Sequence, residues 1–159
     1  MARSDGNGWV RCRCGQRHWG LFGAAGLVLL RRRGDVVEVL LQLRSSWTHQ
    51  GGTWGVPGGA RDSHEDVVTA ALREAEEEVG VEPGHVDVVG TVVGADHGDW
   101  RYTYVIGWAD DAVRARARSD ESDEVRWVPL DEVEELRLHP ALAAAWPELR
   151  ARLPTAEAA

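Results

Sequence analysis

The segment GARDSHEDVVTAALREAEEEVGV, residues 59–81, combines a helical pattern of apolar residues with closely spaced acids. Glu74, Glu76, Glu77 and Glu78 fall within five positions near its end. Like charges three or four positions apart on a helix repel each other by about 0.2–0.5 kcal/mol per pair. Because this repulsion destabilises the helix, we expect the carboxylates to have a role other than helix stability.

The apolar residues of this segment predict one amphipathic helix. At about 100° per residue they form a single stripe, which consists of Val67, Val68, Ala71, Leu72, Ala75 and Val79. Ser63, with Asp66 three positions later, fits the N-cap that starts such a helix. Gly80 fits the left-handed position that follows a helix end.

Three of the glutamates share one side of the predicted helix. Glu74, Glu77 and Glu78 fall within an arc of about 100° beside the apolar stripe, whereas Glu76 points elsewhere. A solvated acidic face is the ordinary explanation of a charge run. It does not explain anions in the last turns, where the helix dipole disfavours them. Hard divalent cations such as Mg²⁺ or Mn²⁺ bind oxygen ligands of this kind, and metal binding is the interpretation we favour.

Length and composition restrict the classes of function. The chain has 159 residues, enough for one domain with its own core. Its net charge of -8 argues against a nucleic-acid polymer as partner, because such binding needs a basic face. No apolar run approaches the ~20 residues of a membrane span, and no signal peptide is recognisable. We therefore expect a cytoplasmic protein without a membrane partner, and the oligomeric state stays undetermined.

Turn-forming residues divide the chain into a lead-in, one domain and a tail. We expect residues 1–20 to be a polar, loosely structured lead-in, residues 21–153 to form the domain, and residues 154–159 to be the tail. Strands are predicted in the stretches GLVLLRR, VVEVLLQLR, HVDVVGTVVGA, WRYTYVIGWA and EVRWVPL. LDEVEEL and PALAAAWPELRARL are predicted helices, the second interrupted near Pro147. This order predicts an α/β (α+β) fold, namely an α/β/α sandwich with a mixed β-sheet.

The acidic segment also resembles the signature of the Nudix hydrolases, G-x(5)-E-x(7)-R-E-U-x-E-E-x-G-U, in which U is aliphatic. The defined positions are filled by Gly59, Glu65, Arg73, Glu74, Ala75, Glu77, Glu78, Gly80 and Val81. Only Ala75 is small for its position. The resemblance implies a Nudix fold with a loop–helix–loop metal site, which hydrolyses a diphosphate linked to another group.

The resemblance also implies which residues carry the chemistry. Glu74, Glu77 and Glu78 would hold Mg²⁺, for which Mn²⁺ could substitute, and the carbonyl of Gly59 would be a further ligand. Bound metal ions would neutralise the diphosphate oxygens and lower the pKa of an attacking water. A glutamate would take the proton of that water. Glu74 is preferred for this role, with Glu77 and Glu121 as alternatives.

The remaining positions of the signature have supporting roles in the family. Arg73 would orient the glutamates by ion pairing, and Glu65 and Gly80 would be structural. Salt-bridge chemistry alone leaves Glu65 and Arg73 as ordinary residues of a helix surface. Many family members use one more acid outside the signature, and in ESDEVRWVPL it would precede the last strand. The candidates in order of preference are Glu121, Glu124 and Asp123, with ordinary loop charges as the alternative.

The surrounding chain, over roughly residues 20–146, resembles the actinobacterial MutT branch of this family. The stretches that carry the resemblance include GAAGLVLL, VLLQLRSSWTHQGGTWGVPGGARDSHE and ESDEVRWVPLDEV. Several members of this branch hydrolyse 8-oxo-dGTP or related oxidised purine nucleotides to the monophosphate. The resemblance implies such a nucleotide as the small-molecule partner. ADP-ribose, a nucleotide sugar or ordinary nucleotides are alternative substrates, and a non-catalytic nucleotide sensor is a further alternative.

Aromatic residues outside the signature could recognise the base. Trp47, Trp54, Trp100 and Tyr102 have faces on which a purine could stack. Core packing is the more common role of a large aromatic side chain. The substrate-binding residues therefore stay unassigned.

The lead-in places Cys12, Cys14 and His18 within seven positions. Zinc prefers cysteines spaced as C-x(2–4)-C and needs a fourth ligand, so the C-x-C spacing matches poorly. Reduced free thiols are the interpretation we favour, and a structural zinc is the alternative.

Overall fold

The computed structural model describes residues 4–154, and a mixed sheet forms its centre. A small sheet of β1 (Trp9–Arg11) and β2 (Arg17–Trp19) comes first in the chain. The central sheet consists of β3 (Ala24–Arg33), β4 (Val36–Arg44), β5 (Trp54–Gly55), β6 (Gly58–Ala60), β7 (Val86–Asp96), β8 (Arg101–Ala109) and β9 (Ser122–Pro129). The helices are α1 (Val67–Val79) and α2 (Pro140–Arg152), with short 3-10 helices at Pro83–His85 and Leu130–Glu135.

Strand β3 organises the central sheet because it has partners along both edges. One edge pairs in parallel with β8, from Ala24 opposite Tyr102 to Leu30 opposite Trp108. The other edge pairs antiparallel with β4 at one end and with β6 at the other. Strand β4 also pairs with β5 and β9, and β8 pairs with β7. Parallel and antiparallel ladders in one sheet confirm the predicted mixed sheet.

Alternating side chains of β3 contribute to two hydrophobic cores. Ala25, Leu27 and Leu29 are buried in the core that contains the apolar stripe of α1. Val28 and Leu30 are buried in the other core, which contains the apolar residues of α2. Successive residues of a strand point to opposite faces of the sheet, so one strand supports a helix on each side. This arrangement is the predicted α/β/α sandwich.

Helix α1 begins after Asp66, so the prediction of Ser63 as its N-cap is wrong. The carboxylate of Asp66 accepts a hydrogen bond from the backbone N–H of Thr69 at 2.7 Å. Ser63 is bound elsewhere, because its N–H and its hydroxyl both donate to the carboxylate of Asp5. At the other end Gly80 has a φ of 74°, which confirms the expected left-handed position.

Two predictions for the C-terminal part of the domain are corrected. Helix α2 continues through Pro147, although proline lacks the N–H that bonds to the preceding turn. Trp146 and Leu149 flank this position and are buried in the core, which keeps the helix continuous. LDEVEEL contributes to a 3-10 helix, whose buried residues Leu130 and Val133 have the three-residue spacing of that helix type. In the described part of the chain, neither α-helix is long and apolar enough to cross a membrane.

The lead-in is more ordered than the sequence predicts. Strands β1 and β2 pair as an antiparallel hairpin, and Cys12 in the turn between them is buried. The N–H of Gly6 donates to the buried carboxylate of Asp62 at 2.9 Å, which attaches the lead-in to the loop before α1. These contacts join residues far apart in sequence, so local composition could not predict them. The predicted tail, residues 154–159, lies outside the described residues except for Pro154.

Candidate metal and catalytic site on helix α1

The last turns of α1 place Glu78 over two strands of the sheet. Its Oε2 accepts hydrogen bonds from Gln42 Nε2 at 2.9 Å and from the Gly58 N–H at 3.0 Å. Burial and the negative charge of Glu74 raise the pKa of Glu78 to about 8, although the two hydrogen bonds lower it. A carboxylate with its pKa raised this far is suited to a ligand that brings positive charge.

Glu74 lies one helical turn earlier, against the backbone of β6. A Cβ atom on Gly59 would lie 2.6 Å from Glu74 Oε1, so a side chain at this position would collide with the carboxylate. A Cβ on Gly58 would lie 2.5 Å from the carbonyl oxygen of Ala25, so the pairing of β6 with β3 also needs glycine. Burial raises the pKa of Glu74, and the neighbouring guanidinium of Arg73 lowers it.

Arg73 connects the loop before α1 to the carboxylates of its last turns. Its Nε and Nη2 donate to the two oxygens of Glu65 at 2.7 and 2.9 Å, and Nη2 also donates to the Ala60 carbonyl at 3.0 Å. Its Nη1 lies 3.0 Å from Glu74 and 3.4 Å from Glu77. The hydrogen bonds between Arg73 and Glu65 lower the pKa of the carboxyl and raise that of the guanidinium. Glu65 is thereby committed to holding Arg73 in place.

Glu77 completes the set of three glutamates predicted on one side of the helix. Its side chain is 58% exposed, while that of Glu74 is 15% exposed. Glu76 is exposed as well and lies off this side of the helix. Glu74, Glu77 and Glu78 therefore lie on one side of α1, which runs from the sheet, at Glu78, to solvent, at Glu77.

The loop before β9 brings Glu121 towards the same face. Its negative charge raises the pKa of both Glu74 and Glu78. Charge interactions of this kind weaken with distance and with water between the groups. The loop is fixed to the end of β4, because the N–H of Ser45 donates to the Glu121 carbonyl at 2.9 Å. A fourth carboxylate from a remote segment thus approaches the helix.

The two alternative acids of this loop are engaged with other groups. Asp123 accepts a hydrogen bond from the Ser45 hydroxyl at 2.8 Å. Glu124 pairs with Arg126 of the same strand at 2.9 Å. Neither residue is among the main causes of the raised pKa values of Glu74 and Glu78.

A second group of metal-compatible side chains, Asp62, His64 and Glu65, lies at the start of the helix, with ligand atoms within 4.8 Å of one another. Both oxygens of Glu65 already accept from Arg73. Asp62 lies 3.7 Å from the same guanidinium and accepts the Gly6 N–H. A cation at this position would compete with Arg73 for both oxygens of Glu65. Glu78 makes no ion pair with Arg73 in the described residues, and its hydrogen-bond partners Gln42 and Gly58 carry no charge.

Gln42 and Ser122 also belong to the site, and our sequence interpretation missed both. Gln42 is only 5% exposed, and its Oε1 accepts a hydrogen bond from the Ser122 hydroxyl at 2.5 Å while its Nε2 holds Glu78. A signal for Gln42 existed, because it is polar and lies on the same strand face as Leu40, which packs under α1. Ser122 had no such signal, because its approach depends on the pairing of β9 with β4.

The structure distinguishes the four aromatic candidates. Trp54 is a core residue with 7% exposure. Tyr102 packs against Tyr104 at 4.9 Å between ring centroids, and Trp100 stacks on a histidine of the lead-in at 4.4 Å. Trp47 is 69% exposed in the loop between β4 and β5. Of these four, Trp47 offers the most open aromatic face to a ligand.

The motif and this geometry agree with a known family. The sequence model of the NUDIX domain matches residues 20–149, most of the chain. The chain belongs to the Nudix hydrolase family. Nudix hydrolases generally use divalent metals and act on small nucleotide substrates. The glutamates of the site on α1 lie within residues 59–81, the segment that matches the Nudix signature.

Two curated Nudix relatives and one solved structure are close in sequence. A Mycobacterium tuberculosis protein named "Putative 8-oxo-dGTP diphosphatase 3" is 47% identical over 156 residues, which cover 94% of this chain and 71% of that protein. A "Nucleoside triphosphate pyrophosphatase/Nudix hydrolase fusion protein" of Bifidobacterium longum is 44% identical over 93% of this chain, which spans 32% of the fusion protein. The crystal structure of the Nudix hydrolase RenU from M. smegmatis has 45% identity and a TM-score of 0.87, covering 94% of this chain and 98% of that one. Other matching relatives are named for different substrates.

In the metal-free Nudix protein, Glu78→Gln should increase the free energy of unfolding at neutral pH by up to about 3 kcal/mol. The pKa of Glu78 is about 8 in the native state against 4.5 for an ordinary glutamate. The native state therefore holds a proton that the unfolded chain has lost, and stability falls as pH rises through this window.

Urea unfolding in the presence of a chelator, at about pH 5 and about pH 8.5, measures this dependence. The loss of stability between these two pH values should be smaller in Glu78→Gln than in the unmodified chain. Equal losses of stability in the two proteins would contradict the burial of Glu78 and its repulsion by Glu74.

Proposed function

We propose that this Nudix hydrolase is a Mg²⁺-dependent pyrophosphohydrolase that converts 8-oxo-dGTP, or a related oxidised purine nucleoside triphosphate, to the monophosphate. The observation that carries the chemistry is the adjacent pair Glu74 and Glu78, whose pKa values are raised because burial disfavours their charged forms. A bound divalent cation would stabilise the charged forms of both carboxylates. The choice of substrate is supported by the M. tuberculosis relative, which is 47% identical and carries that activity in its name.

The proposed metal ligands are Glu74, Glu77, Glu78, Glu121 and the carbonyl of Gly59. These residues fit a hard cation, because every donor is an oxygen and the site draws on a helix, a strand and a loop. The absence of a side chain at Gly59 lets the backbone of β6 reach the Glu74 carboxylate. Bound Mg²⁺, or Mn²⁺ in its place, would neutralise diphosphate oxygens and lower the pKa of a water.

Arg73 acts in this proposal as a positioning residue. One of its nitrogens, Nη1, contacts both Glu74 and Glu77, while Nε and Nη2 are fixed by Glu65. A guanidinium can do both because its donors form a rigid planar fork. Arg73 therefore sets the direction of two proposed ligands, and Glu65 is the structural partner that prevents it from rotating away.

We propose Trp47 as the residue that stacks on the purine base. Its loop is bonded to the loop of Glu121, because Ser45 donates its N–H to the Glu121 carbonyl at 2.9 Å and its hydroxyl to the Asp120 carbonyl at 2.8 Å. Trp47 follows Ser45 by two positions, so its backbone lies close in the chain to the contact with the loop of Glu121. Stacking of a base on an aromatic ring contributes about 1–3 kcal/mol.

Two other functions are less well supported. A nucleotide sensor without catalysis would not need all the glutamates of the signature, yet this chain retains each of them. Hydrolysis of ADP-ribose, a nucleotide sugar or ordinary nucleotides would use the same carboxylates. The choice among substrates therefore depends on how the base is recognised and has to be measured.

Replacing Glu121 tests whether the loop before β9 contributes a ligand. Glu121→Gln should lower kcat/KM about tenfold or more, on the usual cost of losing one group at a metal centre. Glu124→Gln is the matched control, because that carboxylate pairs with Arg126 and should be dispensable. Initial rates across a Mg²⁺ titration give the comparison. A larger effect from Glu124→Gln would transfer the role to Glu124, and two unaffected variants would remove the loop from the site.

Replacing Trp47 tests the proposed stacking. Trp47→Ala should raise KM about tenfold or more and change kcat less, because stacking binds the base away from the reacting phosphorus. Trp9→Ala is the control, since Trp9 is also exposed, at 54%, but lies in the lead-in hairpin. Steady-state kinetics of both variants on the same nucleotide measure this effect. If both had the KM of the unmodified chain, the assignment of Trp47 would be wrong.

The substrate itself is tested by comparing 8-oxo-dGTP with dGTP, ADP-ribose and a nucleotide sugar. The oxidised base carries an N–H at N7, where guanine has an acceptor, so a pocket that offers an acceptor there distinguishes the two. Such a mismatch in a buried site corresponds to about 10- to 1000-fold in kcat/KM. We expect 8-oxo-dGTP to be hydrolysed to 8-oxo-dGMP and pyrophosphate with the highest kcat/KM.

Product masses and initial rates at saturating Mg²⁺ measure this preference, and Glu78→Gln serves as the inactive control. If dGTP equalled 8-oxo-dGTP, or if ADP-ribose exceeded both, the proposed substrate would be wrong. Hydrolysis of any substrate in the panel that depended on Glu78 would still support the proposed site. Full activity of Glu78→Gln would overturn the ligand assignment.

A further inference from the structure

The hairpin of β1 and β2 gathers two thiols and an imidazole at its turn. The two Sγ atoms of Cys12 and Cys14 and a ring nitrogen of His18 all lie within 4.8 Å of one another. Cys14 Sγ is 3.2 Å from His18 Nε2. Two ligands of a tetrahedral zinc, with Zn–S about 2.3 Å and Zn–N about 2.0 Å, are roughly 3.5 Å apart. The folded hairpin thus supplies a ligand spacing that the C-x-C sequence pattern does not suggest.

The chemistry of these side chains also fits zinc. The Cys14 N–H donates to Cys12 Sγ at 3.4 Å, so a backbone donor already points at this sulfur. Zinc would supply the positive charge that these groups lack, and it prefers thiolate and imidazole ligands.

The loop between β7 and β8 places a carboxylate and a second histidine next to the hairpin. Asp99 Oδ2 accepts the N–H of Arg13, the residue between the two cysteines, at 3.0 Å. His97 lies in the same loop, and its ring stacks on His18 at 4.6 Å between centroids, with its carbonyl 3.7 Å from Cys12 Sγ. Asp99 lies outside the group whose ligand atoms are within 4.8 Å of one another, so its carboxylate would have to move towards the cluster to complete it.

We propose that Cys12, Cys14 and His18 bind one Zn²⁺, with Asp99 as the fourth ligand, in a structural site separate from the carboxylates of α1. The site joins the lead-in to the β7–β8 loop. The lead-in in turn reaches the start of α1, where Asp5 binds Ser63 and Gly6 binds Asp62. The zinc therefore holds in place the segment that packs beside the Nudix motif.

A disulfide between Cys12 and Cys14 is the competing state of these thiols. A bridge between cysteines separated by one residue would close a very small ring, which makes the required torsion near 90° hard to reach. It would also leave His18 without a partner for its nitrogen. Zinc binding uses all three groups in nearly the positions they already occupy.

Metal analysis of the full-length chain tests the site. The reduced protein is loaded with Zn²⁺, dialysed against buffer with excess Mg²⁺ to occupy the carboxylates of α1, and analysed by elemental mass spectrometry. We expect one zinc per chain, and at least a tenfold loss of zinc affinity in Cys14→Ser and in His18→Asn. Cys14 is exposed, so its replacement should leave the fold intact, which circular dichroism verifies. Asp99→Asn should weaken binding as well.

Cobalt substitution gives a second readout that does not depend on enzymatic activity. Co²⁺ bound by thiolates gives sulfur-to-metal charge-transfer absorption, which should appear in the unmodified chain and weaken in Cys14→Ser. His64→Ala is the matched control, because His64 belongs to the other metal-compatible group and should retain zinc. Three outcomes would overturn the proposal: no zinc in the reduced chain, undiminished zinc in Cys14→Ser, or loss of zinc only in His64→Ala. Failure of the hydrolysis panel would leave these measurements unaffected.

Discussion

The ion pair between Arg73 and Glu65 is the interaction on which the geometry of the site depends. Glu65 accepts two hydrogen bonds from the guanidinium, and its side chain is only 2% exposed. The rest of the guanidinium reaches the Ala60 carbonyl of β6 and the carboxylate of Glu74. One side chain thus fixes a strand, a loop and a helix relative to one another. Removing one partner of such a pair leaves a buried charge uncompensated, at a cost of about 3–5 kcal/mol.

The carboxylates near this ion pair lower the stability of the folded domain. Glu74 and Glu78 are held close together and partly buried, which raises the pKa of both. Gln42 and the Gly58 N–H compensate only partly, because they hydrogen-bond a carboxylate without bringing a charge. The surrounding strands, buried on both faces, supply the stability that the site lacks. The proposed cation site is therefore preorganised by packing rather than by its own electrostatics.

Local features of the chain were predictable wherever a short-range pattern determines the structure. The stripe from Val67 to Val79, the turn at Gly80 and the strand hairpins follow from periodicity and from glycine geometry. The incorrect predictions share one cause. Ser63 was unavailable as a cap because a residue of the lead-in binds it, and Pro147 stays helical because its neighbours are buried. In each case a contact distant in sequence outweighed the local preference.

The sequence by itself determined the family, the mixed sandwich and the set of acids on one side of α1, because each of these follows from spacing along the chain. Only the tertiary structure decided which groups lie next to those acids in the proposed site. Gln42 donates a hydrogen bond to Glu78, and the negative charge of Glu121 raises the pKa of Glu78. Glu124 instead forms an ion pair with Arg126. The tertiary structure also gathered Cys12 and its neighbours at the tip of a hairpin. Strand pairing brings together residues far apart in sequence, and no local pattern records which side chains will then be within a few ångströms of each other.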